Sequence, residues 1–130
     1  MAGGGMILDT CALLWLAEGG RKLTPEAKRR IATAPVLRVS AITGFEIGMK
    51  WRAGKLTLPA LPEEWFREVL RHHDLQIAPV GLDIALTAAQ MPFIHRDPCD
   101  RIIIATARLH ACPVVTADVH FAPYGIEVIW

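Results

Sequence analysis

Four carboxylates, spread over most of the chain, stand where acidic side chains are unexpected. Asp9 and Asp118 each follow an apolar, strand-like run, whereas Glu46 and Asp100 lie on the apolar faces of two predicted helices. A carboxylate is rarely buried unless a positive group compensates its charge. If the fold brings these four together, the compensating group that fits them best is a divalent metal ion.

Each acid also has a purely structural explanation. Asp9 can cap the helix that follows it, and Asp118 can cap a turn. Asp97 precedes Pro98, which is the pattern of a helix N-cap with proline at the first helical position. That explanation of Asp97 and a role at a metal site stand as equal alternatives. For the four main acids, one shared site replaces four unrelated explanations.

The chemistry of a carboxylate cluster points to phosphodiester hydrolysis. Clustered carboxylates hold protons unless cations neutralise them, and Mg²⁺ and Mn²⁺ prefer oxygen ligands while retaining waters. One such ion, or two about 3.5–4 Å apart, activates a water and stabilises the charge of the transition state. Water then attacks phosphorus in line, and no protein nucleophile is needed. The number of ions stays open.

Basic residues near the acids are candidates for contact with a substrate phosphate. Arg96 and Arg101 flank the acidic segment directly, beside His95, and are the predicted phosphate contacts. A second basic group follows Glu46, in the segment 50–55. The favoured interpretation of that segment is a solvated helix end that interacts favourably with the helix dipole.

The elements that must position these residues alternate between strand and helix along the whole chain. This alternation predicts an α/β fold with a mostly parallel sheet covered on both faces. Such sheets bind ligands beyond the carboxyl ends of their strands, where Asp9 and Asp118 lie. The predicted strands are 6–8, 36–40, 75–80, 113–117 and 126–130. The first predicted helix runs through 13–16, and the second begins at 24–26. The others extend over about 41–53, 62–73, 82–90 and 98–111.

Two of these helices carry an acid within an apolar face. At about 100° per residue, Glu46 falls within the face of the third helix and Asp100 within that of the last. The face of the third helix consists of Ile42, Phe45, Met49 and Ala53. The face of the last helix consists of Ile103, Ile104, Ala107 and Ala111.

Composition predicts one compact domain. The chain has 130 residues, of which 52% are hydrophobic and 21% charged, enough for a core without disulfides. We expect a flexible N-terminal lead over residues 1–5 and a single domain over 6–130. No apolar run approaches the roughly 20 residues of a membrane span, and no signal-peptide pattern is visible.

The cysteines indicate the redox environment of the protein, and the net charge disfavours one class of function. Cys11, Cys99 and Cys112 are an odd number without CxxC spacing, which favours a reducing cytoplasm over a disulfide framework. A net charge of +1 disfavours a pure nucleic-acid-binding module. It remains compatible with an enzyme whose acids cluster at one site.

Four segments, in their order and spacing, resemble the PIN-domain family, in particular the VapC-type toxins of bacterial toxin–antitoxin pairs. The segments are ILDTCALLWL, VSAITGFEIGMKWRAGKL, HRDPCDRIIIATA and VVTADVHFAPYGIEVIW, and the similarity extends over residues 6–130. The acidic quartet of the family corresponds to Asp9, Glu46, Asp100 and Asp118. Asp97 matches an acid frequent in this subgroup, Thr10 matches its usual hydroxyl residue, and Cys99 departs from its usual aromatic.

The resemblance implies a three-layer α/β/α fold with a five-stranded sheet and Mg²⁺- or Mn²⁺-dependent cleavage of RNA. The quartet and Asp97 would hold the metal, and Thr10 would orient the site. It also implies a homodimer and a hetero-oligomer with a VapB-like antitoxin. Such an antitoxin lays a segment over a hydrophobic groove and can insert a basic residue into the acidic site.

Three other functions make different demands on the sequence. A non-catalytic regulator that binds RNA or protein through the same fold predicts that Glu46→Gln leaves the biological effect intact. A phosphatase of the haloacid dehalogenase type needs an acid two residues after Asp9, where Cys11 stands. A receiver domain needs an acid at the end of its third strand, where Val80 and Gly81 stand. The RNA target stays open.

Overall fold

Five parallel strands form the central sheet of the computed structural model, which describes residues 5–130. The strands are β1 (Gly5–Leu8), β2 (Val36–Ser40), β3 (Leu75–Ala78), β4 (Val114–Val115) and β5 (Val128–Ile129). The helices are α1 (Thr10–Ala17), α2 (Pro25–Thr33), α3 (Ala41–Arg52), α4 (Pro62–His72), α5 (Leu82–Gln90) and α6 (Pro98–His110). A short 3₁₀ turn, Ala122–Tyr124, precedes β5. The predicted α/β fold with a five-stranded parallel sheet is confirmed.

The order of the strands creates a crevice beside β1. The sheet has the order β3-β2-β1-β4-β5, so β1 pairs with β2 on one side and with β4 on the other. The chain therefore builds outward in one direction from β1 and then returns to build in the other. Parallel sheets bind ligands at such a reversal, beyond the carboxyl ends of the strands. Asp9 follows β1 there, and Asp118 lies three residues after β4.

Successive residues of β1 separate two hydrophobic cores. Leu8 packs with Val39 and Ile47 on one face of the sheet, whereas Ile7 packs with Ile103 and Ile104 on the other. Neighbouring side chains of a strand point to opposite faces, and both faces are covered here. Each fully buried side chain of this size contributes about 1.5–3 kcal/mol of hydrophobic stabilisation. The strands that carry the acids are thereby anchored from both sides.

Local signals set the ends of several helices. The Thr24 hydroxyl accepts the Ala27 N–H at 3.0 Å at the start of α2, where Pro25 occupies the first turn. Ser40 caps α3 by accepting the Ile42 N–H. Threonine and serine are favoured at this position because the side-chain oxygen accepts a backbone N–H of the first turn.

Some predicted boundaries were wrong by a few residues. Only two residues each of the predicted strands 113–117 and 126–130 are assigned to β4 and β5. The apolar pattern reports burial, whereas a strand also requires a neighbour to complete its ladder of hydrogen bonds. β1 includes Gly5, which the sequence placed in the lead. The rest of that lead, residues 1–4, lies outside the described residues.

The predicted buried face of α3 was wrong. Phe45 is 59% exposed and Met49 is 57% exposed, whereas Thr43 and Ile47 are fully buried. Glu46 lies at the flank of this buried face. Periodicity identifies an apolar stripe, but the neighbouring elements decide which stripe they cover. Within residues 5–130, no helix is long and apolar enough to cross a membrane.

Candidate metal-binding active site

A cavity of about 350 Å³ beyond the carboxyl ends of β1 and β4 brings the predicted acids together. All four members of the quartet line it, and so does Asp97. The acids come from the ends of two strands and from two helices far apart in sequence. The lining residues are Asp9, Thr10, Cys11, Trp15, Glu46, Lys50, Asp97, Asp100, Ala117 and Asp118.

Asp9 is held by hydrogen bonds to both of its carboxylate oxygens. Its Oδ1 accepts the Ala12 N–H at 2.8 Å, which caps α1, and its Oδ2 accepts the Thr116 hydroxyl at 2.6 Å. Burial raises the pKa of Asp9 to about 6, against the lowering effect of these two bonds, and the charges of Asp118 and Glu46 add to the rise. Capping and membership of the acidic site are therefore compatible at this residue.

Glu46 is fixed from two directions. Its Oε1 accepts the Thr10 hydroxyl at 2.7 Å, and its Oε2 accepts the Lys50 ammonium at 2.9 Å. Thr10 in turn lies 3.1 Å from the Thr43 hydroxyl in the buried interface between α1 and α3. The hydrogen bond to Glu46 raises the pKa of Lys50, so this lysine stays charged. The predicted orienting residue Thr10 thus contacts one acid of the quartet directly.

Asp97 caps α6 and presents its neighbour Asp100 to the cavity. Its Oδ1 accepts the N–H groups of Cys99 at 2.8 Å and of Asp100 at 3.2 Å. Burial raises the pKa of Asp100 to about 7, and the nearby charge of Asp97 contributes to the rise. The cap explanation of Asp97 is confirmed, and the same residue lines the acidic cavity. The two alternatives are therefore not exclusive.

His95 joins the two acids that lie closest together. Its Nε2 is 2.8 Å from Asp118 Oδ2 and 3.1 Å from Asp100 Oδ2. The Nδ1 of His95 accepts the Asp97 N–H at 3.3 Å, so Nε2 carries the proton shared with the acids. Burial acts to raise the pKa of Asp118, but hydrogen bonds from the backbone and ring of His120 and from His95 outweigh it and lower that pKa.

The two predicted phosphate contacts do not line this cavity. Arg101 is 5% exposed, and its guanidinium donates to the carbonyls of residues 88, 91, 92 and 95 and to the Tyr124 hydroxyl. Because its donors are used inside the protein, the prediction that Arg101 contacts phosphate was wrong. Arg96 is exposed and lines a separate, mostly apolar cavity with Phe93 and Pro98.

Comparison with known proteins agrees with this fold. Residues 6–126 match the PIN domain. The chain belongs to the PIN domain family. Its relatives include Ribonuclease VapC22 of Mycobacterium tuberculosis, which is 32% identical over 120 residues that cover 87% of this chain and 86% of the relative.

Solved structures share the fold of this PIN domain. A toxin–antitoxin complex from Klebsiella pneumoniae contains a chain with 24% identity and a TM-score of 0.66, and the match covers 96% of both chains. A chain of VapBC2 from Rickettsia felis, solved with a promoter DNA fragment, has 12% identity and a TM-score of 0.67. That match covers 95% of this chain and 96% of the other. At these identities the likeness concerns the fold.

The donor set of the PIN domain fits a hard divalent cation. Five carboxylates line one cavity, and oxygen-rich sites suit Mg²⁺ and Mn²⁺. Asp100 and Asp118 already place carboxylate oxygens within 4.8 Å of one another and of a ring nitrogen of His95. Burial raises the pKa of Asp9 and of Asp100, so a positive charge nearby would favour their ionised forms. A bound cation would supply that charge.

Sequence reasoning missed two supports of the site. Thr116 bonds to Asp9 and also accepts the Asp118 N–H at 3.0 Å. The sequence places His95 beside the basic residues near the acids, but it does not indicate that His95 links Asp100 and Asp118. A hydroxyl two residues before Asp118 is a recognisable signal for a turn. Nothing in the sequence pattern connects Thr116 with Asp9.

Proposed function

We propose that this PIN domain is a metal-dependent endoribonuclease that acts as the toxin of a toxin–antitoxin pair. The observation that carries the proposal is the single cavity lined by five carboxylates. The relative named as a ribonuclease, at 32% identity, supports RNA as the substrate. The ion that suits these oxygen donors best is Mg²⁺ or Mn²⁺.

The roles of the acids follow from their environments. Asp9, Glu46, Asp100 and Asp118 would hold the metal. When bound, it would lower the pKa of a water molecule and neutralise charge on the phosphodiester. The protein supplies orientation, because hydrogen bonds fix the carboxylates of Asp9, Glu46 and Asp118, and His95 Nε2 lies 3.1 Å from the carboxylate of Asp100. Asp97 orients α6 and adds a fifth negative charge at the edge of the cavity.

A cognate antitoxin is the proposed protein partner. The support is that several solved structures with this fold are toxin–antitoxin complexes. A basic side chain from such a partner would find five acids in one cavity, which is a complementary environment for it. We also propose a homodimer and a hetero-oligomer with the antitoxin. Size measurement of the free chain and of the co-expressed pair tests both assemblies.

Cleavage of RNA by purified protein is the deciding experiment. We expect cleavage with Mg²⁺ or Mn²⁺, none with EDTA, and a loss of at least a hundredfold in Asp9→Asn and Asp100→Asn. Asp74→Asn is the matched control: it makes the same change of carboxylate to amide on an exposed residue outside the cavity. Its backbone has a φ of 53°, which asparagine tolerates well.

The same experiment separates the enzyme from a non-catalytic regulator. Metal-independent cleavage, or wild-type rates in both site variants, refutes the proposal. A protein that binds RNA but cleaves none with either metal is a regulator. Sequencing of RNA fragments after brief expression of wild type or Asp100→Asn then identifies the RNA that is cut.

A further inference from the structure

Lys50 is the one permanently charged cation among the residues that line the acidic cavity in the described chain. It lies in the last turn of α3, one turn after Glu46, and its Nζ is 2.9 Å from Glu46 Oε2. Five carboxylates share the cavity with it. A lysine in this position faces both the acids and whatever ligand they bind.

An ordinary surface ion pair does not describe this contact. A fully exposed pair with this helical spacing contributes little to stability. Here the Glu46 side chain is only 12% exposed, whereas the Lys50 side chain is 45% exposed. The Thr10 hydroxyl holds the other oxygen of Glu46. Glu46 therefore anchors the ammonium at the mouth of the cavity.

The anchored ammonium keeps donors available for a ligand. A lysine has three N–H donors and no acceptor, and one of the three is directed to Glu46. Two donors remain, on a side chain that is partly exposed to solvent. Phosphate oxygens are suitable acceptors, and lysine binds phosphate as a compact point charge.

The arginines nearest to the acids in sequence do not line the acidic cavity. Arg101 donates its hydrogen bonds inside the protein. Arg96 lines the separate cavity beside Phe93, and Arg52 lines another beside Trp51. A phosphodiester that approaches the acids needs a positive contact to offset their repulsion. Lys50 is placed to provide it.

We propose that Lys50 is the residue that contacts a phosphate of the RNA strand at the acidic cavity. The proposal deepens the proposed ribonuclease function and rests on it. It replaces Arg101 as the phosphate contact and gives the ion pair with Glu46 a second role. The ion pair already holds the ammonium in position, so binding of the substrate does not have to immobilise a mobile side chain and loses less conformational entropy.

The test compares Lys50→Met with Lys55→Met and Lys50→Arg. Lys55 follows the same helix but does not line the cavity, so it controls for the loss of one positive charge. For Lys50→Met we expect KM to rise about tenfold, the scale of one lost hydrogen bond between charged groups. The slope of log KM against log salt should fall by about 0.7, as for one lost phosphate contact to a single strand. Lys55→Met should match wild type, and Lys50→Arg should recover most of the binding.

Two further measurements keep the outcomes distinct. Thermal unfolding checks that Lys50→Met is folded, and anisotropy of a labelled RNA in Ca²⁺ measures binding separately from cleavage. If Lys50→Met and Lys55→Met have the same KM, RNA affinity and salt slope, the proposal for Lys50 is overturned. The ribonuclease function is still supported in that case, provided that the wild-type protein cleaves RNA. A fall in kcat alone also overturns the proposal for Lys50, because Lys50 then acts only by aligning Glu46. If wild type cleaves nothing, the ribonuclease function fails, and the anisotropy series still decides whether Lys50 binds RNA phosphate.

Discussion

The Thr116 hydroxyl donates a 2.6 Å hydrogen bond to Asp9 Oδ2. The same hydroxyl oxygen accepts the Asp118 N–H at 3.0 Å, so one side chain connects the acids that follow β1 and β4. Thr116 is 1% exposed, and water therefore does not compete for these bonds. Thr116 therefore fixes the relative position of Asp9 and Asp118, two of the proposed metal ligands, although it is not itself a proposed ligand.

We expect Thr116→Val to weaken metal binding by about tenfold to a hundredfold, the usual effect of removing a hydrogen bond that orients a ligand. Valine keeps the shape of the side chain but leaves Asp9 Oδ2 without its donor. Titration calorimetry with Mn²⁺ measures the change. Thr116→Ser restores the hydroxyl and should bind as wild type does. Equal affinity in the valine and serine variants contradicts the orienting role.

The metal-free protein should lose stability as pH rises from about 4 to about 6. Folding raises the pKa of Asp9 from 3.8 to about 6, so the folded state binds more protons than the unfolded chain in this window. Below about pH 4, Asp9 is protonated in both states and does not lower the free energy of unfolding. Above about pH 6, its buried charge lowers the free energy of unfolding by up to roughly 3 kcal/mol. Asp100, whose pKa is raised to about 7, extends the decline upward. Unfolding temperatures in EDTA across this range measure the effect.

Divalent metal should reverse this decline, because it compensates the charge that burial disfavours. The unfolding temperature should therefore rise more on addition of Mg²⁺ at pH 7.5 than at pH 4.5. Asp9→Asn is the control, since it removes one of the two titrating groups and should make the decline in EDTA less steep between about pH 4 and 6. An equally steep decline in that variant assigns the effect to other groups.

Two substitutions of Asp97 should distinguish its role as the N-cap of α6 from its role as a negative charge at the cavity. Asp97→Ala removes the N-cap of α6 and should cost about 1 kcal/mol of unfolding free energy. Asp97→Asn keeps an oxygen acceptor for the Cys99 and Asp100 N–H groups, so stability should be retained. The same variant removes a negative charge and should weaken Mn²⁺ binding, though less than Asp100→Asn does. Urea unfolding measures the free energy of unfolding, and titration calorimetry measures the Mn²⁺ affinity. Unchanged Mn²⁺ affinity in Asp97→Asn would mean that Asp97 acts only as the N-cap.

Arg101 should prove essential for stability. Arg101→Met leaves several buried carbonyl oxygens without donors, and we expect a loss of about 3 kcal/mol or more in urea unfolding. Arg101→Lys should recover little, because a single ammonium cannot reach acceptors spaced for a planar guanidinium. Arg96→Met, on the exposed neighbour, should change stability by no more than about 0.5 kcal/mol. Stability of Arg101→Met near that of Arg96→Met contradicts the structural role.

The features that were predictable from sequence depend on neighbours within one or two helical turns. Asp97 and Pro98 mark the start of α6 because an N-cap bonds to backbone N–H groups two or three residues ahead. Thr24 marks α2 for the same reason. The unusual placement of four acids identified the quartet, and the alternation of strands and helices placed Asp9 and Asp118 at carboxyl ends of parallel strands. The family resemblance narrowed the predicted function to a toxin ribonuclease.

The remaining features depend on which elements become neighbours. Thr116 reaches Asp9 across 107 positions of the chain because β4 pairs with β1. Phe45 and Met49 stay exposed because the protein covers the adjacent stripe of α3, which a single helix cannot specify. Sequence by itself determined the elements and the identity of the acids. Tertiary structure decided that Arg101 turns inward and Lys50 faces the cavity, since both outcomes depend on packing between elements distant in the chain.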